Sequence, residues 1–357
     1  MIAKVEAITA RFDLAQDRLV IQASDLSLET ISSMVGSDAI DISPGYQRRE
    51  RWTLAKERAL VESFLLNIPV PPIYLFEEEY GKYSVIDGKQ RVTAIHRFMS
   101  NSFDLRDLLS FRELTGQRFS DLPIKIQNAL RVRPYVRVVT LLRQSDVNLK
   151  YEVFRRLNEG GEPLNAQEVR NVVFRGPLNE LIYELSENNF LLQQLKIKTR
   201  KEATYQQMVN AEIVLRYFVL SKLWRQFTGS FRESMDDYMR EHQHTSPKEL
   251  DYLKRDFLRS IAACEAIFGS NAFRRPAGTG WREQFLTGMF DAEMVACSLS
   301  SDADLERAIK WSDKVVDQLR IKIEYDYQFE ASIREATNTP SRIQYRIGLM
   351  TNILIGV

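Results

Sequence analysis

The segment Asp87-Gly88-Lys89-Gln90-Arg91 combines residue types that can bind phosphate. The apolar residues of 83–86 are typical of a buried strand, and those of 92–99 recur at helical spacing. The first backbone N–H groups of a helix lack partners within it, and the helix dipole adds positive charge there. Gly88 allows close approach of the backbone to a ligand, and Lys89 and Arg91 add two cations. The pattern therefore indicates phosphate binding.

An ordinary helix start explains the same residues. Asp87 is then an N-cap, Gly88 a turn residue, and Lys89, Gln90 and Arg91 the solvated first turn. Residue spacing leaves both interpretations open.

A second candidate segment, 43–52, mixes aromatic residues with arginine. It contains Tyr46, Gln47, Arg48 and Trp52. Aromatic rings interleaved with arginine can stack on a base and contact phosphate. A surface loop anchored to the core by Tyr46 and Trp52 is the alternative.

A third candidate is the run from Leu122 to Ser145, which has five basic residues and no acidic one. Valines at 132, 136 and 138 alternate there with Arg133 and Arg137, which predicts a strand with one basic face. Arg131, Arg133 and Arg137 are thus candidate contacts for a nucleic acid. A charged edge strand that resists aggregation fits equally well.

Composition excludes several classes of protein. The 357 residues carry a formal net charge of +1, so any polyanion site must be local. Two cysteines and three histidines are too few for a zinc framework or a disulfide scaffold. The sequence contains neither a Walker-type phosphate loop nor an apolar run of the ~20 residues that a membrane span needs. We expect a soluble cytoplasmic protein.

The distribution of patterns predicts an α+β fold in two domains. Strand signals alternate with helix signals up to about residue 145, and the remainder reads as amphipathic helices, one of them from Leu305 to Leu319. We therefore expect a small mixed α/β domain over 1–145 and an all-helical domain over 146–357.

Several segments, in order along the chain, resemble the N-terminal domain of GmrSD-type restriction systems, which carries an Asp-Gly-Gln-Gln-Arg signature. The matching residues are Pro44, Tyr46, Gln47, Arg48 and Trp52, the run Ile68-Pro69-Val70-Pro71-Pro72-Ile73, and Asp87-Gly88-Lys89-Gln90-Arg91. Two later stretches also look like the family, from Phe154 to Arg170 and from Glu212 to Phe218.

The resemblance implies a fold similar to ParB and sulfiredoxin in the first domain, with nucleotide phosphates bound where a strand enters a helix. It also implies that the protein binds and hydrolyses a nucleoside triphosphate with Mg²⁺ and acts as a sensor or regulatory component of a restriction or anti-phage system. In this sequence Lys89 replaces the first Gln of the signature, and the His-containing HNH nuclease half is missing. The nuclease partner would then be a separate chain.

By this resemblance we assign roles to named residues. Nucleotide binding would involve Tyr46, Gly88, Lys89, Arg91 and Thr93. Asp87 would hold Mg²⁺, Arg48 would neutralise charge developing in the transition state, and Gln47 or Gln90 would position the attacking water, with Arg91 completing the catalytic set. A DNA-binding module without turnover, or an adaptor for a separate nuclease chain, are the alternatives.

Overall fold

Five strands near the N-terminus form one mixed sheet. The computed structural model describes residues 8–9, 12, 19–42, 52–145, 152–153, 156–157 and 165–357. The strands are β1 (Ile21–Ser27), β2 (Ile40–Asp41), β3 (Ile73–Glu79), β4 (Lys82–Asp87) and β5 (Tyr135–Leu141), in the spatial order β1-β5-β3-β4-β2. Pairing is antiparallel between β1 and β5 and between β3 and β4, and parallel between β5 and β3 and between β4 and β2.

Among the residues described in this unit, four α-helices accompany the sheet: α1 (Leu28–Gly36), α2 (Leu54–Leu65), α3 (Lys89–Met99) and α4 (Ile124–Val132). Ser27 caps α1 and Thr53 caps α2 with side-chain oxygens, as their residue types favour. One hydrophobic core joins these helices to the sheet, with Ile31, Ile73, Val92 and Val136 fully buried within it. Burial of these apolar side chains holds α3 against β3 and against helices α1 and α2.

The rest of the described chain is mainly helical. Its helices are α5 (Ala166–Val173), α6 (Pro177–Ser186), α7 (Asn189–Gln194), α8 (Ala203–Gln206), α9 (Val209–Leu223), α10 (Phe231–Glu241), α11 (Pro247–Phe268), α12 (Thr287–Leu299), α13 (Asp302–Lys310), α14 (Ser312–Tyr325), α15 (Tyr327–Arg334) and α16 (Pro340–Ile355). A short hairpin joins β6 (Pro276–Ala277) to β7 (Gly280–Trp281). The nearly buried α12 packs against α9, α11 and α16 and forms the centre of this core.

The chain divides into two compact units, Met1–Leu164 and Asn165–Val357. The expected α+β class is confirmed, with a mixed sheet first and helices after it. Among the described residues no helix has both the length and the apolar character needed to cross a membrane.

Two local predictions were wrong. The single helix expected over 305–319 is two helices, because the chain breaks at Trp311, whose backbone φ and ψ of −112° and 34° are not helical. Arg133 does not lie on a strand, because α4 runs to Val132 and Arg133 follows as its C-terminal cap. The valine pattern is explained by the end of a helix followed by β5.

Candidate functional site

The predicted strand, turn and helix are present at residues 82–99. Strand β4 ends at Asp87, Gly88 is the N-cap of α3, and α3 begins at Lys89. Gly88 has φ +94° and ψ 11°, a left-handed conformation that glycine adopts without strain. The helix therefore starts within one residue of the strand, and Gly88 has no side chain with which to occupy its first N–H groups.

Gly88 also lies close to its neighbours. A Cβ at this position would be 3.0 Å from Arg91 Nη2 and 3.1 Å from Ile73 Cγ1. The requirement for glycine is therefore both conformational and steric. Asp87, which we considered as an N-cap, instead ends the strand and pairs with Arg91.

Arg91 is tied to two elements. Its Nη2 donates to Asp87 Oδ2 at 2.9 Å and to the backbone carbonyl of Pro72 at 2.9 Å. Its side chain is only 14% exposed, whereas that of Asp87 is 35% exposed. The guanidinium thus links the end of β4 to the Pro-rich segment that precedes β3.

Described residues on both sides of the candidate segment 43–51 contact β4 or α3. Strand β2 is parallel to β4, with Asp41 opposite Ser84, so both chains leave the sheet in the same direction. On the far side of residues 43–51, the backbone N–H of Trp52 donates to Gln90 Oε1 at 3.1 Å. Trp52 is therefore fixed beside the first turn of α3, and Asp41 pairs with β4 three residues before that strand ends. Tyr46, Gln47 and Arg48 themselves lie outside the described residues.

Charge at this edge is partly compensated. The segment Asp87–Arg91 has a formal net charge of +1, since Lys89 and Arg91 outnumber Asp87, with which Arg91 pairs. Lys89, Gln90 and Thr93 are all half-buried. A net positive helix start of this kind attracts an anion.

A divalent metal would have few protein ligands here. Among the described residues no group of three or more His, Cys, Asp or Glu side chains could hold a metal ion. Asp87 precedes the first residue of α3 by two positions, and its Oδ2 accepts a hydrogen bond from Arg91. Mg²⁺ in nucleotide sites is often held by one or two carboxylates plus substrate phosphates, so a single partly exposed carboxylate is compatible with that mode of binding.

The three arginines predicted to form a basic face have different surroundings. Arg137 pairs with Asp25 at 2.6 Å across the β1–β5 ladder, and Arg131 lies 3.7 Å from Glu29. Arg133 is exposed and forms no ion pair with the described residues. Acidic residues of β1 and α1, distant in sequence, thus offset two of the three charges.

His242 and both cysteines are buried within the helical unit. His242 is buried, stacks on Tyr238 at 4.1 Å and has Nε2 2.9 Å from Lys222 Nζ. Cys264 and Cys297 are buried free thiols with their sulfurs 3.7 Å apart, and burial raises the pKa of Cys264 well above its usual value. A thiol with a raised pKa is a poor nucleophile.

Sequence reasoning missed Pro72 and Trp52 as partners of the signature residues. Both contacts use backbone atoms, which carry no residue-type signal. The sequence signal that could have pointed to them is their position next to secondary-structure boundaries: Pro72 directly precedes β3, and Trp52 lies just before α2.

Comparison with protein-family models matches residues 31–175 to the model described as GmrSD restriction endonuclease, N-terminal domain. This range contains strands β2, β3, β4 and β5, and the strand, turn and helix at residues 82–99. No HNH domain model matches the chain. No curated protein and no solved structure matches it significantly.

Proposed function

We propose, from the match of residues 31–175 to the GmrSD restriction endonuclease N-terminal domain model, that the chain binds a nucleoside triphosphate as a component of a restriction or defence system. The family match indicates the restriction or defence context. The observation that carries nucleotide binding is the left-handed Gly88, which turns β4 directly into α3 and puts Lys89 in its first turn.

In the proposed complex the phosphates lie against the backbone N–H groups at the start of α3. Lys89 contributes the cation, because the guanidinium of Arg91 already binds Asp87 and Pro72. Arg91 then acts mainly by fixing the geometry of the turn. This assignment refines the expectation that Arg91 contacts phosphate.

Mg²⁺, when bound with the nucleotide, would neutralise phosphate charge. Asp87 is the residue that would hold it, since its Oδ1 accepts no hydrogen bond from the described residues. A water-mediated contact would leave the Asp87–Arg91 pair intact. Hydrolysis would further require Gln47 or Gln90 to position water and Arg48 to neutralise developing charge. Gln90 is held near the site by the N–H of Trp52.

The test measures binding and phosphate release for each of the four ribonucleoside triphosphates with Mg²⁺. Lys89→Ala should weaken binding roughly 10- to 100-fold, the effect of removing a hydrogen bond to a charged group. Lys125→Ala is the matched control, because Lys125 is exposed in the first turn of α4, which begins after Pro123 rather than after a left-handed glycine.

Asp87→Ala should lower the dependence of binding on Mg²⁺. Equal affinities for Lys89→Ala, Lys125→Ala and wild type would refute the site, and absence of binding by wild type to all four nucleotides would refute the function. Binding without phosphate release would retain the sensor role and remove hydrolysis.

A second candidate is a DNA-binding module without turnover that recruits a separate nuclease. The family name describes an enzyme class that acts on DNA, and the exposed Arg133 favours a contact in the same unit. Arg133→Gln should then weaken DNA binding and reduce its salt dependence by about one charge.

A further inference from the structure

Two segments of the helical unit are unusually rich in cations. Residues 196–201 contain Lys196, Lys198, Arg200 and Lys201, and residues 274–282 contain Arg274, Arg275 and Arg282. Neither segment contains an acidic residue. The whole chain has 49 Lys and Arg against 48 Asp and Glu, so this concentration of charge is local.

Both segments are anchored on one aromatic cluster. The cluster includes Phe190 on α7, Phe273 just before the hairpin, and Phe290 on α12. The Phe273 ring lies 6.1 Å from Phe190 and 5.0 Å from Phe290. Segment 196–201 follows α7, and segment 274–282 follows Phe273. Contacts between buried aromatic rings therefore hold together the residues from which the two segments begin.

Specific contacts order the two segments. Lys196 Nζ pairs with Glu283 Oε2 at 3.2 Å, which joins the end of the hairpin to the start of the other segment. The Glu202 carboxylate accepts from the backbone N–H groups of Lys198 and Thr199 at 3.0 Å each. On the hairpin, Arg320 Nη1 donates to the carbonyls of Gly278 at 2.7 Å and Gly280 at 3.1 Å. The backbone that presents the cations is thus fixed before any ligand binds.

Three of the seven cations have carboxylate partners. Besides Lys196, Arg200 pairs with Glu187 at 2.8 Å and Arg275 pairs with Glu330 at 2.7 Å. Lys198, Lys201 and Arg282 are exposed and form no ion pair with the described residues, and the half-buried Arg274 has a buried Nε without a hydrogen-bond partner. Separate cations on a fixed backbone match the spaced charges of a phosphodiester chain.

We propose that these two segments form a surface that binds the phosphate backbone of duplex DNA. The ligand is a duplex rather than a single strand, because stacking on bases needs free aromatic faces. The aromatic ring of the hairpin, Trp281, is half-buried and carries the Arg320 guanidinium 5.1 Å from its centroid. Recognition is by charge and is independent of base sequence. None of its residues belongs to the proposed nucleotide site, and the proposal does not depend on that site.

The test measures binding of the full chain to a DNA duplex of about 30 base pairs, which is roughly three helical turns. Binding is followed by fluorescence anisotropy over a series of salt concentrations. The variant Lys198→Gln/Arg282→Gln removes one exposed cation from each segment. The control Arg112→Gln/Lys248→Gln removes the same charge at two exposed positions outside both segments.

The double variant should bind the duplex roughly 10- to 100-fold more weakly, and the slope of log K against log salt should fall in magnitude by about two. The control should bind like wild type. Equal losses in both variants, a loss confined to Arg133→Gln, or stronger binding of a single strand than of the duplex would each overturn the proposal. Nucleotide binding measured on the same variants should be unchanged, which separates this surface from the site at α3.

Discussion

Arg91 Nη2 donates to Asp87 Oδ2 at 2.9 Å, and the same nitrogen donates to the carbonyl of Pro72 at the same distance. Asp87 and Arg91 are four residues apart in the sequence, but Asp87 is the last residue of β4 while Arg91 is in the first turn of α3. The pair therefore holds the turn closed at the point where a phosphate would lie. This arginine and this aspartate therefore fix the geometry of the turn as well as carrying charge.

Arg91→Ala should lower the free energy of unfolding of the N-terminal unit by about 1–3 kcal/mol, because it leaves two partly buried acceptors without a donor. Arg91→Lys should lie between the variant and wild type, since an ammonium can keep one of the two contacts. Urea unfolding measures the change. Arg112→Ala, at an exposed arginine without an ion pair among the described residues, should stay within about 0.5 kcal/mol of wild type. An equal loss of stability in both alanine variants would show that the contacts of Arg91 with Asp87 and Pro72 do not stabilise the fold.

Gly88→Ala should be more destabilising than Gly81→Ala, although both glycines have positive φ, +94° and +74°. The left-handed strain of about 1–2 kcal/mol is common to both substitutions. A Cβ at Gly88 additionally meets Arg91 and Ile73 at 3.0 and 3.1 Å, whereas a Cβ at Gly81 meets nothing within 4 Å. Thermal unfolding of the two variants isolates the steric part, and equal melting temperatures would contradict the close approach.

The spacing of hydrophobic residues along the sequence predicted much of the fold, because each helix or strand shows this spacing within its own residues. The helices opened by Thr53 and by the Asn165–Glu168 capping box, and the strands on either side of the 80–81 turn, follow from adjacent residues. Strand β1 was missed, because its residues are largely exposed and its pairing with β5 joins positions more than 100 residues apart. The Asp87-Gly88 turn was predicted, but the Arg91–Pro72 contact was not. Long-range pairing to a backbone carbonyl leaves no trace in residue type.

The buried charges of the helical unit illustrate the same limit. Asp291 accepts from Arg216 Nε and Nη2 at 2.6 Å each, and also from Arg346 Nη2. Arg346 is fully buried, and desolvation lowers its pKa while Asp291 opposes that shift. The three residues lie on three different helices, α9, α12 and α16. Sequence showed three ordinary charged residues in amphipathic segments.

Asp291→Asn should destabilise the helical unit by about 3–5 kcal/mol, because it leaves two guanidinium groups buried without a counter-charge. Asp237→Asn removes one carboxylate from an exposed pair with Arg240 and should cost less than about 1 kcal/mol. Guanidinium chloride unfolding followed by circular dichroism measures both. Similar midpoints for the two variants would contradict a stabilising role for the buried cluster.

Glu293 should make the stability of the helical unit depend on pH. Its side chain is fully buried on α12, and Oε2 accepts from the Phe273 N–H at 2.8 Å while Oε1 has no hydrogen-bond partner. Burial raises the pKa of Glu293 well above its usual value, and the hydrogen bond from Phe273 only partly opposes this shift. The folded state therefore binds the proton more tightly than the unfolded chain does.

The contribution of Glu293 to the free energy of unfolding is complete below its unfolded pKa of about 4.3 and is lost as pH rises towards the raised folded value, by up to about 1.4 kcal/mol per pH unit. Glu293→Gln cannot ionise, and its amide oxygen can still accept from Phe273. The variant should gain stability relative to wild type as pH rises from 5 to 8, measured by urea midpoints, whereas Glu306→Gln, at an exposed position, should follow wild type throughout. If wild type instead gained on Glu293→Gln with rising pH, the buried carboxyl would be stabilised in its charged form.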